Sequence, residues 1–160
     1  MKRLLQWMLL VVIVLWGVNY QCSAATTTPP TFTTGEATLL SSGQTHLLQV
    51  ELANTPKQLA YGLMYREQLP SGHGMLFDFG DSNIANMWMK NTYISLDMLF
   101  VDEGGTVRHI VEGTTPESEA IISSRYPVRA VLELPAGDVK HYGITVGDSI
   151  RHAVFMDEAP

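Results

Sequence analysis

From Glu36 to Phe155 the chain is cut into short apolar runs separated by Gly, Asn, Asp and Pro, a spacing that leaves no room for long helices. Such a chain has to build its core from many short strands. Leu48, Val50 and Leu52 alternate with Gln49 and Glu51, the period-two pattern of a strand with one buried face. This run, His46 to Leu52, is expected to form a hairpin with Glu36 to Leu40 across Ser41-Ser42-Gly43-Gln44. Further strands are expected at Met75–Phe79, Asn86–Asn91, Leu96–Val101, Thr106–Val111, Val128–Leu134 and Ser149–Phe155. The third and fourth of these would pair across Asp102-Glu103-Gly104-Gly105.

One helix start is written plainly. Thr55 is placed as N-cap, Pro56 occupies the first helical position, and Gln58 follows the cap by three residues, which together make a capping box. Leu59, Leu63 and Met64 would form its buried stripe, and Gly62 and Pro70 keep it short. A second short helix or turn is expected at Asp138–Tyr142. The eight runs and two short helices describe a mainly β fold, a compact antiparallel β-sandwich or barrel-like domain, and exclude a doubly wound α/β architecture.

Ahead of this domain the sequence has an export pattern. Lys2 and Arg3 precede an apolar run from Leu4 to Val18 broken only by Gln6, and small residues follow at Ser23 and Ala25. Residues 1–25 read as a signal peptide cleaved after Ala25, with cleavage after Ala24 as second choice. A membrane-spanning helix needs about 20 apolar residues, so an uncleaved anchor over residues 4–20 is the lesser alternative. Lipidation of Cys22 is disfavoured by the bulky Gln21 before it. Residues 26–34, rich in Thr and Pro, read as a solvated tether, and residues 35–160 as one domain. The expected location is extracytoplasmic, periplasmic or secreted, with membrane contact only if the N-terminal segment is retained.

Cys22 is the only cysteine, so cleavage leaves a domain without disulfide, thiol nucleophile or thiolate ligand. The chain carries 10 basic and 16 acidic residues, and losing Lys2 and Arg3 shifts the formal charge from −6 to −8. That balance disfavours nucleic acid as a partner. His46, His73, His109, His141 and His152 are scattered without ligand spacing, so neither metal nor other cofactor is expected. Met87-Trp88-Met89 has thioethers beside an indole, which suits Cu(I), but Met beside aromatics is ordinary core filling. No nucleophile elbow is present, and Gly72-His73-Gly74 and Gly104-Gly105 are turns rather than phosphate cradles.

The most distinctive stretch is Trp88-Met89-Lys90-Asn91-Thr92, with Asp97 close behind. Strand alternation places Trp88 and Lys90 on one face, and Asp97 with Leu99 and Val101 on an inward one. A buried carboxylate needs a cation, and Lys90, Arg66 and Arg129 are the candidates. Two readings are open. In the plainer one Lys90 and Asp97 form a structural ion pair, with the indole over the lysine stem. In the other they belong to a pocket where Lys90 holds an anionic or hydroxylated ligand, Asn91 orients it and Trp88 stacks on it. Glu133 joins this set because it interrupts the apolar strand Val131-Leu132-Glu133-Leu134; its plain reading is an outward-facing residue.

The chain resembles the DUF192 family, a group without an assigned function. The resemblance is carried by Tyr61-Gly62-Leu63-Met64-Tyr65-Arg66, Gly74-Met75-Leu76-Phe77, Trp88-Met89-Lys90-Asn91-Thr92 with Leu96-Asp97, Val131-Leu132-Glu133-Leu134-Pro135-Ala136-Gly137, and Gly147-Asp148. It implies a compact, mainly β domain, often behind a signal or anchor, with no agreed activity or cofactor. Met87 and Ser95 depart from the family pattern, where an aromatic and a proline are usual. The leading expectation is a non-catalytic binding or accessory module of the cell envelope, with a small polar ligand or an envelope protein as partner. One alternative is an enzyme acting on a small polar or glycan-like substrate, using Asp97 or Glu133 as base and Lys90 or Arg66 against negative charge. The other is a structural protein-interaction module.

Overall fold

The structure, a computed structural model, describes residues 28–156; the expected export segment, its cleavage positions and Cys22 lie outside them. The strands are β1 (Thr33–Ser41), β2 (Gln44–Ala53), β3 (His73–Met87), β4 (Leu96–Val101), β5 (Val107–Val111), β6 (Ile122–Pro135) and β7 (Ser149–Arg151). The helices are α1 (Pro56–Tyr61) and α2 (Asp138–Tyr142), with a 3-10 turn at Ala153–Phe155. All seven strands form one sheet in the order β5-β4-β6-β3-β2-β1-β7. The sheet curls until its edges touch: Thr106 bridges Ser149, and Ile150 donates its N–H to the Gly105 carbonyl at 2.7 Å. The result is the barrel-like, mainly β fold expected from the sequence.

Local chemistry explains the connections. Ser42 and Gly43 alone form the first hairpin turn, both at positive φ (51° and 74°), as a two-residue turn between right-twisted strands requires. At α1 the capping box is complete, with Gln58 N–H donating to Thr55 Oγ1 at 3.3 Å and Thr55 N–H to Gln58 Oε1 at 3.0 Å. That helix is a crossover, so β2 and β3 run parallel while every other pair is antiparallel. β1 begins at Thr33, paired with Leu52, inside the stretch read as tether.

Two expected strands, Met75–Phe79 and Asn86–Asn91, are parts of one strand, β3, which pairs with β6 through register shifts between Asp78 and Asn86. The polar run between them reads as a turn because its side chains face solvent. It stays in the sheet because β6 continues alongside. Pro127 is tolerated there because β4 pairs with β6 only from Ala130 to Pro135, leaving the earlier part of β6 an edge. At its far end the expected strand Asn86–Asn91 is corrected: β3 stops at Met87 and Trp88–Asn91 belong to a turn. Ser149–Phe155 likewise keeps only three residues of strand before the 3-10 turn.

Each face of the sheet carries a core. One, inside the curl, contains Leu39, Leu48, Leu76, Leu99, Leu132 and Ile150, with Val139 of α2 closing one end. The other lies on the outer face of β3, β4 and β6 beneath α1 and the 88–95 connection, and contains Leu63, Met75, Phe77, Met89, Met98 and Val131. β4 is therefore buried along its whole length. A strand covered on both sides reads as a continuous apolar run, and Leu96–Val101 does so except at Asp97.

Candidate functional site

Neighbouring residues on a strand face opposite ways, and this separates the two buried acids. On β6, Leu132 and Leu134 enter the inner core, while Val131 enters the outer one together with the side of the strand that carries Glu133. Asp97 on β4 shares the inner face with Leu99 and Val101, as alternation predicts. Asp97 and Glu133 thus lie on opposite faces of the sheet, and they do not form a convergent acid–base pair.

Asp97 is fully engaged by the backbone. Its Oδ1 accepts from Gly113 N–H at 2.9 Å, and its Oδ2 accepts from Gly137 at 2.9 Å and Val139 at 3.0 Å. It caps the start of α2 and holds the turn after β5. The expected ion pair with Lys90 is corrected: backbone donors satisfy this carboxylate without a cation. Lys90 lies instead 3.6 Å from Glu119, a residue that no motif or period relates to it.

Glu133 is only 4% exposed, and its neighbours across the sheet are Met75 on β3 and Met98 on β4. Its outward-facing reading is corrected, because α1 and the 88–95 connection cover that face. The carboxyl has no hydrogen bond or ion pair among the described residues, and burial alone pushes it up to about 8 from an ordinary 4.5. It borders a narrow cavity of about 30 Å³ whose walls are Leu59 to Met64, Phe77 and Met87, with Trp88, Lys90 and Thr92 beside them.

The Trp88–Thr92 turn is built by backbone geometry. Asn91 sits at φ 54°, a left-handed conformation that asparagine accepts, and Thr92 N–H donates to the Met89 carbonyl at 3.0 Å. Ser118 accepts from Met89 N–H at 2.8 Å, and Asn91 accepts from Tyr65 N–H at 2.8 Å, which joins the turn to the segment after α1. Asn91 is thus a turn former; its side-chain amide approaches Met64 Sδ at 3.8 Å. Trp88 remains 44% exposed with the Lys90 ammonium 5.4 Å from its ring centroid. Thr92 is buried and donates to the Lys90 carbonyl at 3.3 Å.

Of the residues singled out in the sequence, Trp88, Lys90, Thr92 and Glu133 meet at this cavity. Arg66 does not. It makes a two-pronged ion pair with Glu51, 2.6 Å at each contact, on the wall of a separate groove of about 300 Å³ that also includes Gln49, Pro70 and His73. Arg129 pairs with Asp78 at 3.3 Å. The contributions of Gly62 and Phe77 were missed, although Gly62 ends α1 at φ 49° and a Cβ there would come within 3.0 Å of the Phe77 ring. An aromatic ribbon leads from the cavity wall: the Tyr61 ring centroid lies 5.9 Å from that of Tyr65, which lies 6.0 Å from that of Tyr93, and Tyr65 and Tyr93 are half exposed. Among the described residues no group of three or more His, Cys, Asp or Glu side chains could hold a metal.

Solved structures of other proteins share this fold. A protein of Sinorhizobium meliloti 1021 described as a candidate transcription regulator is 51% identical with a TM-score of 0.76, covering 78% of this chain and 98% of its own. A protein of unknown function from Novosphingobium aromaticivorans DSM 12444 is 33% identical with a TM-score of 0.72, covering 74% of this chain and 85% of its own. No curated protein matches. The family described as "Uncharacterized ACR" matches residues 37–152, which include both cores and every residue of the cavity: the chain belongs to the DUF192 family.

Proposed function

We propose that this protein is an exported, non-catalytic binding module of the cell envelope that takes a small polar or glycan-like ligand at the Glu133 cavity. The observation that carries the reading is a buried carboxyl without a partner among the described residues, bordering a cavity beside an exposed indole and a lysine. Buried polar groups are nearly always satisfied, and one left open in a concave site is a place for a ligand group. The ribbon of Tyr61, Tyr65 and Tyr93 adds aromatic faces on which a sugar or other flat polar molecule can rest. Within the enzyme alternative, Asp97 is engaged by backbone donors on the opposite face and Arg66 lies at a separate groove, so Glu133 and Lys90 are the members of that set that meet at the cavity. An interaction module would instead present a broad apolar patch without a pocket. The N-terminal sequence pattern supports export.

Titrating the protein with small saccharides and polar metabolites, while following the Trp88 indole N–H signal by NMR, tests binding. Ligand-dependent shifts should disappear in Lys90→Ala at unchanged Tm. A Lys90→Ala protein that binds every ligand as before and only melts earlier would overturn the reading. Export is tested by sequencing the N-terminus of protein recovered outside the cytoplasm, which should begin at Thr26; an intact Met1 on cytoplasmic protein would refute it.

A further inference from the structure

We propose that the cavity is a carboxylate site. An acidic ligand enters beside Trp88, its charge meets the Lys90 ammonium, and one of its oxygens takes a hydrogen bond from the Glu133 carboxyl. This rests on the cavity being the ligand site and adds the class of ligand.

Three observations favour a carboxylate over other headgroups. Lys90 is only loosely held, since Glu119 is 65% exposed at its side chain and 3.6 Å away, a surface pairing that contributes little. The ammonium is therefore available to a ligand anion. Glu133 is faced by Met75 from β3 and Met98 from β4, while the segment after α1 adds apolar Leu63 and the Trp88–Thr92 turn brings Lys90. Tyr61 and Lys90 are the other titratable side chains on the cavity wall. With its pKa near 8 the carboxyl keeps its proton at neutral pH and can donate it to a hydrogen bond. Finally, 30 Å³ is room for about two waters, which suits the two oxygens of a carboxylate. A neutral hydroxyl ligand would leave Lys90 unused. An ammonium would have to displace the Glu133 proton and would meet a like charge at Lys90.

Three probes of similar chain length decide the matter: butyrate, butyramide and butylammonium, titrated into the protein and followed at the Trp88 indole signal. Butyrate should bind at least tenfold more tightly than either of the others. Its affinity should hold from about pH 6, where butyrate is ionised, to about pH 8 and fall about tenfold per pH unit above, as the folded protein loses the donor proton. Glu133→Gln keeps a neutral donor, so it should still bind butyrate and lose that fall; Lys90→Met should lose binding. Preferred binding of butylammonium, or an unchanged pH profile in Glu133→Gln, overturns the proposal. If butyramide binds as well as butyrate, the carboxylate assignment fails while the cavity remains a ligand site. If no probe and no other small ligand shifts the indole signal, both fail. The wild-type pH profile stands as a test even if a variant does not fold.

Discussion

Replacing Glu133 with Gln should stabilise this protein, and by an amount that depends on pH. The folded carboxyl, packed between Met75 and Met98 with no partner among the described residues, is pushed up to about 8, whereas the unfolded chain titrates near 4.5. Below pH 4.5 both states are protonated and the group has no differential effect. Between 4.5 and 8 the unfolded state releases a proton that the folded state retains, so stability falls by about 1.4 kcal/mol per pH unit. At pH 7 the loss has reached about 3 kcal/mol, and above pH 8 it levels off near 5 kcal/mol. Gln has nearly the same shape and does not titrate. The variant should match the wild type near pH 4.5 and exceed it by about 3 kcal/mol at pH 7, a large share of the 5–15 kcal/mol typical of a domain. Urea unfolding of both proteins at pH 5, 6, 7 and 8 measures the difference directly. A gap that stays constant across that range would show that burial does not hold this carboxyl neutral, and the reasoning would fail.

Asp97→Asn should destabilise by about 3–5 kcal/mol, because an amide places N–H groups against backbone N–H donors at a site built for a charge. Hydrogen exchange at Gly113, Gly137 and Val139 should quicken with it; a loss under about 1 kcal/mol would mean that the three contacts are not structural. Gly74→Ala puts a Cβ 2.6 Å from the Glu133 carbonyl oxygen and 2.9 Å from Leu134 Cδ2, both across the β3–β6 contact. The strands must part to admit it, at a cost of about 2 kcal/mol or more in thermal or urea unfolding. A neutral result would refute the close approach of those strands.

Features encoded by residues close in sequence were legible from the sequence: the capping box at Thr55 and Gln58, the Ser42–Gly43 hairpin, α2, and the inward side of Asp97. Trp88–Asn91 was misread as strand because its alternation looks like a continuation of β3. What stops the strand is the left-handed Asn91 and the hydrogen bonds from Met89 to Ser118 and from Tyr65 to Asn91, made to residues distant along the chain. The burial of Glu133 was illegible for the same reason. An acid in an apolar strand looks outward-facing unless something covers that face, and here the cover comes from α1 and the 88–95 connection. Lys90 could not be matched to Glu119 from sequence, since no motif or period relates them.

The contrast between the two acids makes Glu133 difficult to explain by stability. Asp97 and Glu133 stand on adjacent strands, both buried, and the fold surrounds one with three backbone donors while the described residues give the other none. Among flanking methionines, an apolar residue at 133 would remove the proton-linked cost and fill the same volume. A fold satisfies its local rules almost everywhere, and the place where it breaks one at a cost of several kcal/mol is where function is to be sought. At this place the sheet also presents a cavity, and the left-handed turn at Asn91 holds a lysine and an indole beside it. The proposed binding role rests on the carboxyl, the turn and the cavity together, since none of them is needed to close the barrel.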